Sequence, residues 1–584
     1  MSQKLVLTKV PLTITTANTV AVWNFPYTEQ ARVQASDAAA SDFFGQSIAL
    51  SSDGNTLAIG AFVDDNSGGT DAGSVYVFTR SGSTWTEQTR LQASDAAASD
   101  RFGFSIAFSS DGNTLAIGAN LDNNTGGLDA GSVYVFTRSG STWTQQTRLQ
   151  ASDAAASDWF GWSVALSSDG NTLAIGAYAD DNTGGANAGS VYVFTRSDST
   201  WTEQTRLQAG DAAVTDQFGW SVALSSDGNT LAIGANFDDN TGGTDAGSVY
   251  VFTRSGSTWT QQTRLQASDA AASDRFGHSV ALSSDGNTLA IGAHVDDNTG
   301  GTDAGSVYVF TRSGSTWTQQ TRLQASDALA NDNFGYSVAL SSDGNTLAIG
   351  AVVDDNSGGS DAGSVYVFTR SGSTWTQQGR LQASDAAASD QFGSSVALSS
   401  DSNTLAIGAA YDDNTGGANA GSTYIFTKQL TSQTGLGIGI SPSSIAAQLH
   451  LSTDSALKLT TTTWQTGSDQ RVKLNIDSAD TARCYQDIKS IPLRRFQWDS
   501  NFYPSVPDRH MLGWVAQEVQ TVVPKAVKQV PMHGYSDFHV LDTDQLLKIT
   551  YGALQHLIGK YEETNQSLQN LTLKYEELEG KLNS

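Results

Sequence analysis

The feature that most constrains this chain is a nearly identical unit of 58 residues that occurs seven times. The dipeptide Phe-Gly marks each copy, and almost all of the residues between successive copies recur with it. The seven marker phenylalanines are Phe44, Phe102, Phe160, Phe218, Phe276, Phe334 and Phe392. Repeats of this length are typical of propellers and solenoids, in which each unit buries its apolar surface against its neighbours.

Each copy contains short apolar runs separated by turn residues, a pattern that predicts antiparallel strands. In the copy around Phe276 the Asp285-Gly286 pair marks a tight hairpin between strands one and two. The Ser313-Gly314 pair marks another hairpin, between strands three and four. The four predicted strands of this copy are residues 277–282, 288–293, 306–311 and 317–324. Four such strands make one blade of a β-propeller.

The last copy lacks a fourth strand, and the N-terminus supplies one. The repeat ends near Thr427, whereas the run that begins with Tyr27 matches the fourth-strand run that begins with Trp85. A solenoid would leave two ends to be capped, but donation of the N-terminal strand to the last blade closes a ring and removes an open edge. We therefore predict an N-terminal extension over residues 1–23 and an all-β seven-bladed propeller over residues 24–428, closed by its N-terminal strand.

The blade sequence resembles a known family. Phe-Gly, Ser-Val-Ala-Leu-Ser, Leu-Ala-Ile-Gly-Ala and Gly-Ser-Val-Tyr-Val-Phe follow one another as in FG-GAP repeats, the blades of the integrin α-subunit propeller. In that family an Asp-x-Asp-x-Asp-Gly loop between strands one and two binds calcium. Residues 283–287 read Ser-Ser-Asp-Gly-Asn instead. The resemblance therefore implies the fold but not calcium in that loop.

Charge and composition argue against several classes of protein. The formal net charge of −27 opposes the phosphate contacts of nucleic-acid binding. No stretch is apolar enough to span a bilayer, and the first 20 residues lack the apolar core of a signal peptide. Cys484 is the single cysteine, so an internal disulfide is excluded. We expect no nucleic-acid partner, no membrane insertion and no signal peptide.

Differences between the copies are concentrated at one rim of the predicted ring. The hairpins of the opposite face are nearly constant, apart from Asp198 and Ser402, which each replace a turn glycine. The residue after Phe-Gly and the residue after Gly-Ala vary. Their aromatic and imidazole members are Phe62, Phe104, Trp162, Tyr178, Trp220, His278, His294 and Tyr336, and the others are Gln46, Asn120, Asn236, Val352, Ser394 and Ala410. Aromatic residues suit stacking on sugars or anchoring a protein partner, so we predict that this rim binds a host receptor or glycan. Tolerated drift around the central channel is the alternative.

The same face carries acidic loops. Asp296, Asp297 and Asp303 lie in a run that offers oxygen ligands to a cation such as calcium. The alternative is that the Asp and Asn side chains cap loop amides in Asx-turns, and we favour it because the spacing matches no known metal loop. The variable positions contain no unique pair of acids of the kind that hydrolyses glycosides. We therefore expect the propeller to bind and not to catalyse.

The residues after Lys428 have different chemistry. A turn-rich connector over residues 429–467 leads to the run Gly-Ser-Asp-Gln-Arg-Val-Lys, which ends at Lys473. With Phe496, Trp498 and the later run Gly-Trp-Val-Ala-Gln-Glu-Val, this segment resembles the intramolecular-chaperone, self-cleaving domain of phage tailspikes and endosialidases, which myelin regulatory factor shares. The resemblance covers residues 468–584.

The resemblance implies that Ser468 is a nucleophile and Lys473 its base, with one cleavage between Gly467 and Ser468. Serine needs a base at neutral pH, and a desolvated lysine with a lowered pKa can act as one. A surface serine and lysine in a loop are the alternative interpretation.

The C-terminal tail has the spacing of a coiled coil. From about residue 546, Leu and Tyr recur at intervals of three and four over five heptads. The periodicity indicates self-association, an amphipathic helix packed on its own domain being the alternative, and the family resemblance implies a parallel homotrimer. We therefore predict an α+β self-cleaving chaperone domain that ends in a coiled-coil helix.

Together these patterns predict a viral or phage-like fibre protein at the virion surface, with receptor- or glycan-binding propellers assembled by a self-cleaving chaperone. A glycan-degrading tailspike enzyme and an intracellular propeller scaffold with a trimerising, self-cleaving domain are the alternatives. A regulator like myelin regulatory factor is disfavoured by the acidic propeller and by the absence of a transmembrane helix.

Overall fold

The structure is a computed structural model that describes residues 27–428 in full and the backbone of four short strands in the C-terminal part. The chain divides into two compact units, Met1–Thr431 and Ser432–Ser584. All regular secondary structure in the described residues is β-strand. Within this described part, no helix is long and apolar enough to cross a membrane.

Residues 27–428 of the first unit form 28 strands, which we number β1 to β28. Strand β1 is Tyr27–Val33. Blades one to three are β2 to β13: Ser47–Leu50, Thr56–Ala61, Ser74–Ser81 and Thr84–Leu91; Phe102–Phe108, Thr114–Ala119, Ser132–Ser139 and Thr142–Leu149; Ser163–Leu166, Thr172–Ala177, Ser190–Ser197 and Thr200–Leu207.

Blades four to seven are β14 to β28: Ser221–Leu224, Thr230–Ala235, Ser248–Ser255 and Thr258–Leu265; Ser279–Leu282, Thr288–Ala293, Ser306–Ser313 and Thr316–Leu323; Phe334–Leu340, Thr346–Ala351, Ser364–Ser371 and Thr374–Leu381; Ser395–Leu398, Thr404–Ala409 and Ser422–Lys428. In the first six blades, four consecutive strands form an antiparallel sheet. The prediction of a seven-bladed β-propeller is confirmed.

The seventh blade takes its outer strand from the N-terminus. Its sheet has the order β1-β28-β27-β26, and β1 runs antiparallel to β28 with Tyr27 opposite Lys428 and Val33 opposite Thr423. This pairing satisfies the edge of the last blade and leaves the ring without an open end. The predicted closure by the N-terminal strand is therefore confirmed.

The core consists of similar apolar wedges between neighbouring blades. At the first boundary, Val75 and Leu91 of one blade pack with Phe102 and Ile117 of the next. Phe102 is fully buried, and the centroid of its ring lies 5.5 Å from that of Tyr134 in an edge-to-face contact. Because each blade covers the apolar face of the next, stability is shared among repeated boundaries instead of one central core.

The glycine of each Gly-Ala pair permits a close approach to the Phe-Gly glycine of the next blade. A Cβ atom on Gly60 would lie 2.1 Å from the carbonyl oxygen of Gly103, and Gly103 itself has a φ of +96°. The same carbonyl accepts a hydrogen bond of 2.6 Å from the Ser47 hydroxyl. Any larger side chain at Gly60 would separate the two blades, which explains why Gly-Ala and Phe-Gly recur together.

The described strands of the second unit form two antiparallel pairs. Arg494–Gln497 (β29) pairs with His510–Gly513 (β30), and Val527–Met532 (β31) pairs with Tyr535–Leu541 (β32). The helix predicted from about residue 546 lies outside the described residues.

Candidate functional site

The predicted rim lies at one mouth of the central channel. The first strand of each blade contacts the first strands of its neighbours around the whole ring, so these strands surround the axis. In blade three, Trp162 immediately precedes β10 and Tyr178 immediately follows β11. Because Ser163 lies opposite Gly176 in this antiparallel pair, both variable positions reach the same end of the blade.

In blades three and five a local turn leaves the first variable residue just outside the first strand. The backbone N–H of His278 donates to the carbonyl of Arg275 at 3.1 Å and not to the neighbouring strand. Consequently β18 begins at Ser279, two residues later than predicted. The equivalent bond joins Trp162 to Trp159. The irregularity places these side chains at the channel mouth.

The eight aromatic and imidazole residues predicted at the rim form one contiguous group, which we call the collar. Its members are Phe62, Phe104, Trp162, Tyr178, Trp220, His278, His294 and Tyr336. Ring centroids along it are 5.5 Å apart for Phe62 and Phe104, 4.5 Å for Phe104 and Trp162, and 4.9 Å for Trp162 and Trp220. The row continues through His278 to Tyr336, with separations of 5.6 and 5.0 Å.

The residues after Gly-Ala bridge neighbouring members of this row. Tyr178 lies 4.5 Å from Trp162 and 4.9 Å from Trp220. His294 lies 3.9 Å from His278 and 5.7 Å from Tyr336. These contacts are mostly tilted or edge-to-face, the arrangements that aromatic quadrupoles favour. The collar is therefore a packed surface made by six successive blades.

The seventh blade interrupts the collar. It contributes Ser394 and Ala410 at the two variable positions, and both are buried. In blade six the position after Gly-Ala is the buried Val352. The ring is therefore chemically asymmetric although its backbone repeats, and an asymmetric ligand would find different groups on its two sides.

Sequence reasoning missed a third variable position at the same mouth, the residue before Phe-Gly. Its members are Phe43, Arg101, Trp159, Gln217, Arg275, Asn333 and Gln391, all with positive φ. Trp159 stacks on Trp162 at 5.9 Å with an angle of 18° between the rings. The Arg275 guanidinium lies 4.1 Å from the ring centre of Phe237, a residue that is also variable. Comparison of the copies one position earlier would have revealed this position.

Several polar atoms of the channel mouth have no hydrogen-bond partner among the described residues. They are Asn120 Oδ1, both amide atoms of Asn236, the Nδ1 atoms of His278 and His294, Arg101 Nε, Trp159 Nε1 and Gln217 Oε1. Asn120 is 1% exposed and Asn236 is 0% exposed. Buried polar atoms normally have partners, so each of these atoms could accept or donate a hydrogen bond to a ligand or to water.

The two imidazoles of the collar are uncharged at neutral pH. Burial, followed by the neighbouring His294 and Arg275, holds the pKa of His278 well below its ordinary value. Burial and Arg275 lower the pKa of His294 to about 4. The collar therefore offers aromatic faces and neutral hydrogen-bonding groups.

The acidic loops use their carboxylates internally. Arg322 binds both Asp296 and Asp269, the latter at 2.7 Å, and the Tyr308 hydroxyl donates to Asp296 at 3.2 Å. The exposed Asp297 accepts the backbone N–H of Asp303 at 2.9 Å. In residues 27–428 and the four C-terminal strands, no group of three metal-ligating side chains converges. This geometry agrees with the Asx-turn interpretation, with an arginine as the counter-charge.

The predicted catalytic pair, Ser468 and Lys473, lies outside the described residues, as do the connector and the predicted coiled coil.

Comparison with known protein families gives two matches. The FG-GAP repeat family matches seven segments that together cover more than half of the chain, residues 27–78, 85–136, 143–194, 201–252, 259–310, 317–368 and 375–426. The family described as chaperone of endosialidase, a family of self-cleaving chaperones, matches residues 468–528. Among solved structures, a chain from "Crystal Structure of Mitotic Checkpoint Complex" is similar with a TM-score of 0.43 and 15% identity. The similarity covers 73% of this chain and 99% of that chain and is too distant to carry an argument.

Proposed function

Because the chain belongs to the FG-GAP repeat family and also carries a chaperone-of-endosialidase domain, we propose that it is a viral or phage-like fibre protein. The propeller is the head, which binds a host receptor or glycan at the virion surface. The C-terminal domain directs assembly of a homotrimer and then cleaves itself off between Gly467 and Ser468. The observation that carries the proposal is the order of the two parts, a binding head followed by a self-cleaving chaperone.

Closure of the propeller within one chain defines what the chaperone does. Strand β1 completes the last blade of its own ring, so the head needs no second copy for its fold. Trimer formation, which the chaperone family implies, therefore serves the presentation of three heads together. Three linked sites bind a surface far more strongly than one, because the later binding events are intramolecular.

Cleavage makes this assembly irreversible. The Ser468 hydroxyl attacks the carbonyl of Gly467 while Lys473 accepts the hydroxyl proton. The peptide C–N bond between Gly467 and Ser468 then breaks as Lys473 returns the proton to the amine of Ser468, and water hydrolyses the resulting ester to release the fragment. Once the chaperone has left, the trimer lacks the part that lowered the barrier between separate chains and the trimer. The barrier is then high in both directions, so the assembled trimer is kinetically trapped.

The collar is the proposed recognition surface. Its aromatic faces, amides and neutral imidazoles suit binding, and the neighbouring carboxylates of Asp269 and Asp296 are bound to Arg322. A glycan-degrading tailspike would need two free acids on either side of a glycosidic bond. Binding without hydrolysis is the function that these side chains support best.

The test is binding of the full-length protein to a panel of cells and surface glycans. Replacing Trp162 and Trp220 by Gln, the residue that Gln46 provides at this position in blade one, should weaken binding by about tenfold or more. Replacement of Trp201 and Trp259 by Gln is the matched control, because these tryptophans lie in the outer strands β13 and β17. Unchanged binding of the collar variant would contradict the proposal, and release of sugar from the glycans would favour the tailspike enzyme.

A further inference from the structure

Two buried asparagines at the channel mouth have amide oxygens without a hydrogen-bond partner among the described residues. Asn120 and Asn236 are almost completely buried, and three of their amide atoms lack partners among the described residues. At the same repeat position Val352 and Ala410 are buried without any polar atom in the side chain. The blade therefore accepts an apolar residue here, and an unpartnered amide makes the folded state less stable than an apolar residue would.

The repeat fixes what surrounds each amide. Tyr178, the equivalent residue in blade three, contacts Trp162 of its own blade and Trp220 of the next. Asn236 occupies the equivalent repeat position between Trp220 and His278. Asn120 likewise occupies the position between Phe104 and Trp162. We infer from this equivalence that each amide is flanked by aromatic side chains from two blades.

The polar groups near the position of Asn236 are two neutral imidazoles and the charged guanidinium of Arg275. His278 and His294 have free Nδ1 atoms among the described residues, and burial holds the pKa of both imidazoles below its ordinary value. Arg275 lies over Phe237, which lies 6.3 Å from Trp220. The surroundings of Asn236 thus combine aromatic faces with donors and acceptors that are held in place by packing.

This combination matches a sugar ring better than a protein side chain. A pyranose has an apolar C–H face for stacking and hydroxyl groups at its edge, which can bond an amide oxygen and an amide nitrogen together. A leucine or phenylalanine anchor would leave the asparagine amides unpaired in a drier site, at further cost.

We propose that Asn236 and Asn120 are the hydrogen-bonding residues of two saccharide subsites in the collar, with Trp220 and Trp162 as their stacking faces. This inference rests on the proposed function and names the ligand as a glycan. The proposal also accounts for the destabilising unpartnered amides, because a bound sugar would supply the hydrogen-bond partners that the protein lacks.

The experiment measures glycan binding and thermal stability on the same full-length variants. Asn120→Val, Asn236→Val and the double variant take the residue already present as Val352. We expect each single change to weaken binding to an array of neutral and acidic oligosaccharides by about tenfold, and the double variant to abolish it, while the melting temperature stays the same or rises. A rise in stability together with a loss of binding is not expected of residues with a structural role.

Val352→Asn is the matched control. It places an unpartnered amide at the same repeat position in blade six, so it should lower the melting temperature and leave glycan binding unchanged. Undiminished glycan binding by the double variant would overturn the inference. So would a fall in its melting temperature with no saccharide bound by the unchanged protein, which would show that the amides bind ordered water.

Failure of this inference and failure of the proposed function give different results. If the unchanged protein binds cells or a surface protein but no saccharide, the fibre function stands and the saccharide subsites do not. If it binds none of these and does not cleave itself, the proposed function fails with them.

Discussion

Arg32 in the first strand forms an ion pair with Asp412, a residue 380 positions later in the chain. The same guanidinium binds Asp385, and the hydroxyl of Tyr424 donates to both carboxylates. In each of the other six blades an arginine of the fourth strand makes the equivalent pair of contacts, and these residues are Arg90, Arg148, Arg206, Arg264, Arg322 and Arg380. Ring closure thus reuses an interaction that every blade contains.

Replacement of Arg32 by alanine should loosen the seam of the ring. It leaves Asp412, whose side chain is 4% exposed, without its counter-charge. We expect a loss of about 2–3 kcal/mol in the free energy of unfolding, less than for a fully buried pair because the Arg32 side chain is 27% exposed. Hydrogen exchange of β1 and β28 should rise before that of any other blade.

Arg206→Ala is the control for this change, because it removes the same contacts from blade three, where the fourth strand is covalently continuous with the third. Its effect should stay local and should not open the ring. If hydrogen exchange of β13 in the Arg206→Ala variant is as fast as that of β1 in the Arg32→Ala variant, the closing blade is no weaker than an ordinary blade.

Asp198→Gly should stabilise the propeller. Asp198 occupies a hairpin position with a φ of 56°, where Gly140 has a φ of 60°. A Cβ atom on Gly140 would meet nothing within 4 Å, so the difference between the two residues is one of backbone conformation. We expect a gain of about 1 kcal/mol, measured from the midpoint of urea unfolding. The reciprocal change, Gly140→Asp, should cost a similar amount, and the hypothesis fails if both changes shift the midpoint in the same direction.

The free energy of unfolding should increase as the pH falls from 8 to about 5. Seven equivalent aspartates are buried, and burial raises the pKa of each to about 6; they are Asp42, Asp100, Asp158, Asp216, Asp274, Asp332 and Asp390. In the unfolded chain an aspartate has a pKa of about 3.9, so the folded state binds more protons between these values and is favoured as they bind.

Other groups modify this trend. Burial also raises the pKa of Asp296 and its equivalents, although Ser306 and Arg322 oppose it. The two collar histidines act in the opposite direction, since a lowered pKa favours the unfolded state as the pH falls through about 6.5. Two such groups are outnumbered by the seven aspartates.

Asp274→Asn is the control for the pH dependence. In the native protein the backbone N–H of Ala271 donates to the Asp274 carboxylate at 2.6 Å. The amide oxygen of asparagine can accept the same hydrogen bond, but the asparagine side chain does not titrate. Urea unfolding at pH 8, 7, 6 and 5 should show a shallower rise in the variant than in the unchanged protein. A stability that falls between pH 8 and 6 would contradict the assignment.

Ser468→Ala should abolish self-cleavage. A denaturing gel of the unchanged protein should show two fragments, one ending at Gly467 and one beginning at Ser468, whereas the variant should give a single full-length band. Ser478→Ala, a neighbouring serine, should cleave normally. Persistent splitting of the Ser468 variant would exclude Ser468 as the nucleophile. Because assembly precedes cleavage in the proposal, the uncleaved variant should still have the mass of a trimer in solution.

The repeat allowed much of the fold to be predicted. Comparison of seven copies separates the constant core from the variable surface, so the number of blades, the closure and a strand such as Thr288–Ala293 followed directly. Both family resemblances, to FG-GAP repeats and to the chaperone of endosialidase, are confirmed. The start of strand one was predicted too early because the turn at His278 depends on a backbone hydrogen bond that the residue types do not reveal.

The site was predicted less completely. The sequence predicted that the collar residues share one rim, but their mutual contacts and the unpartnered amides depend on side-chain packing between blades. The positive φ of Phe43 and Trp159 was not foreseen, because neither residue type favours that conformation. The pairing of Asp296 with Arg322 was missed because the two residues are separated by 26 positions and meet only when the blade has formed.

The close glycine contact between blades has a consequence for how such a protein diversifies. Because Gly60 meets Gly103 in the same way that Gly118 meets Gly161, every boundary is interchangeable with every other. A gene segment that encodes one 58-residue unit could therefore replace another by recombination with little change to the interior. Such an exchange alters mainly the side chains that each blade presents at the channel mouth. The order of the seven units therefore determines the row of side chains around the channel mouth.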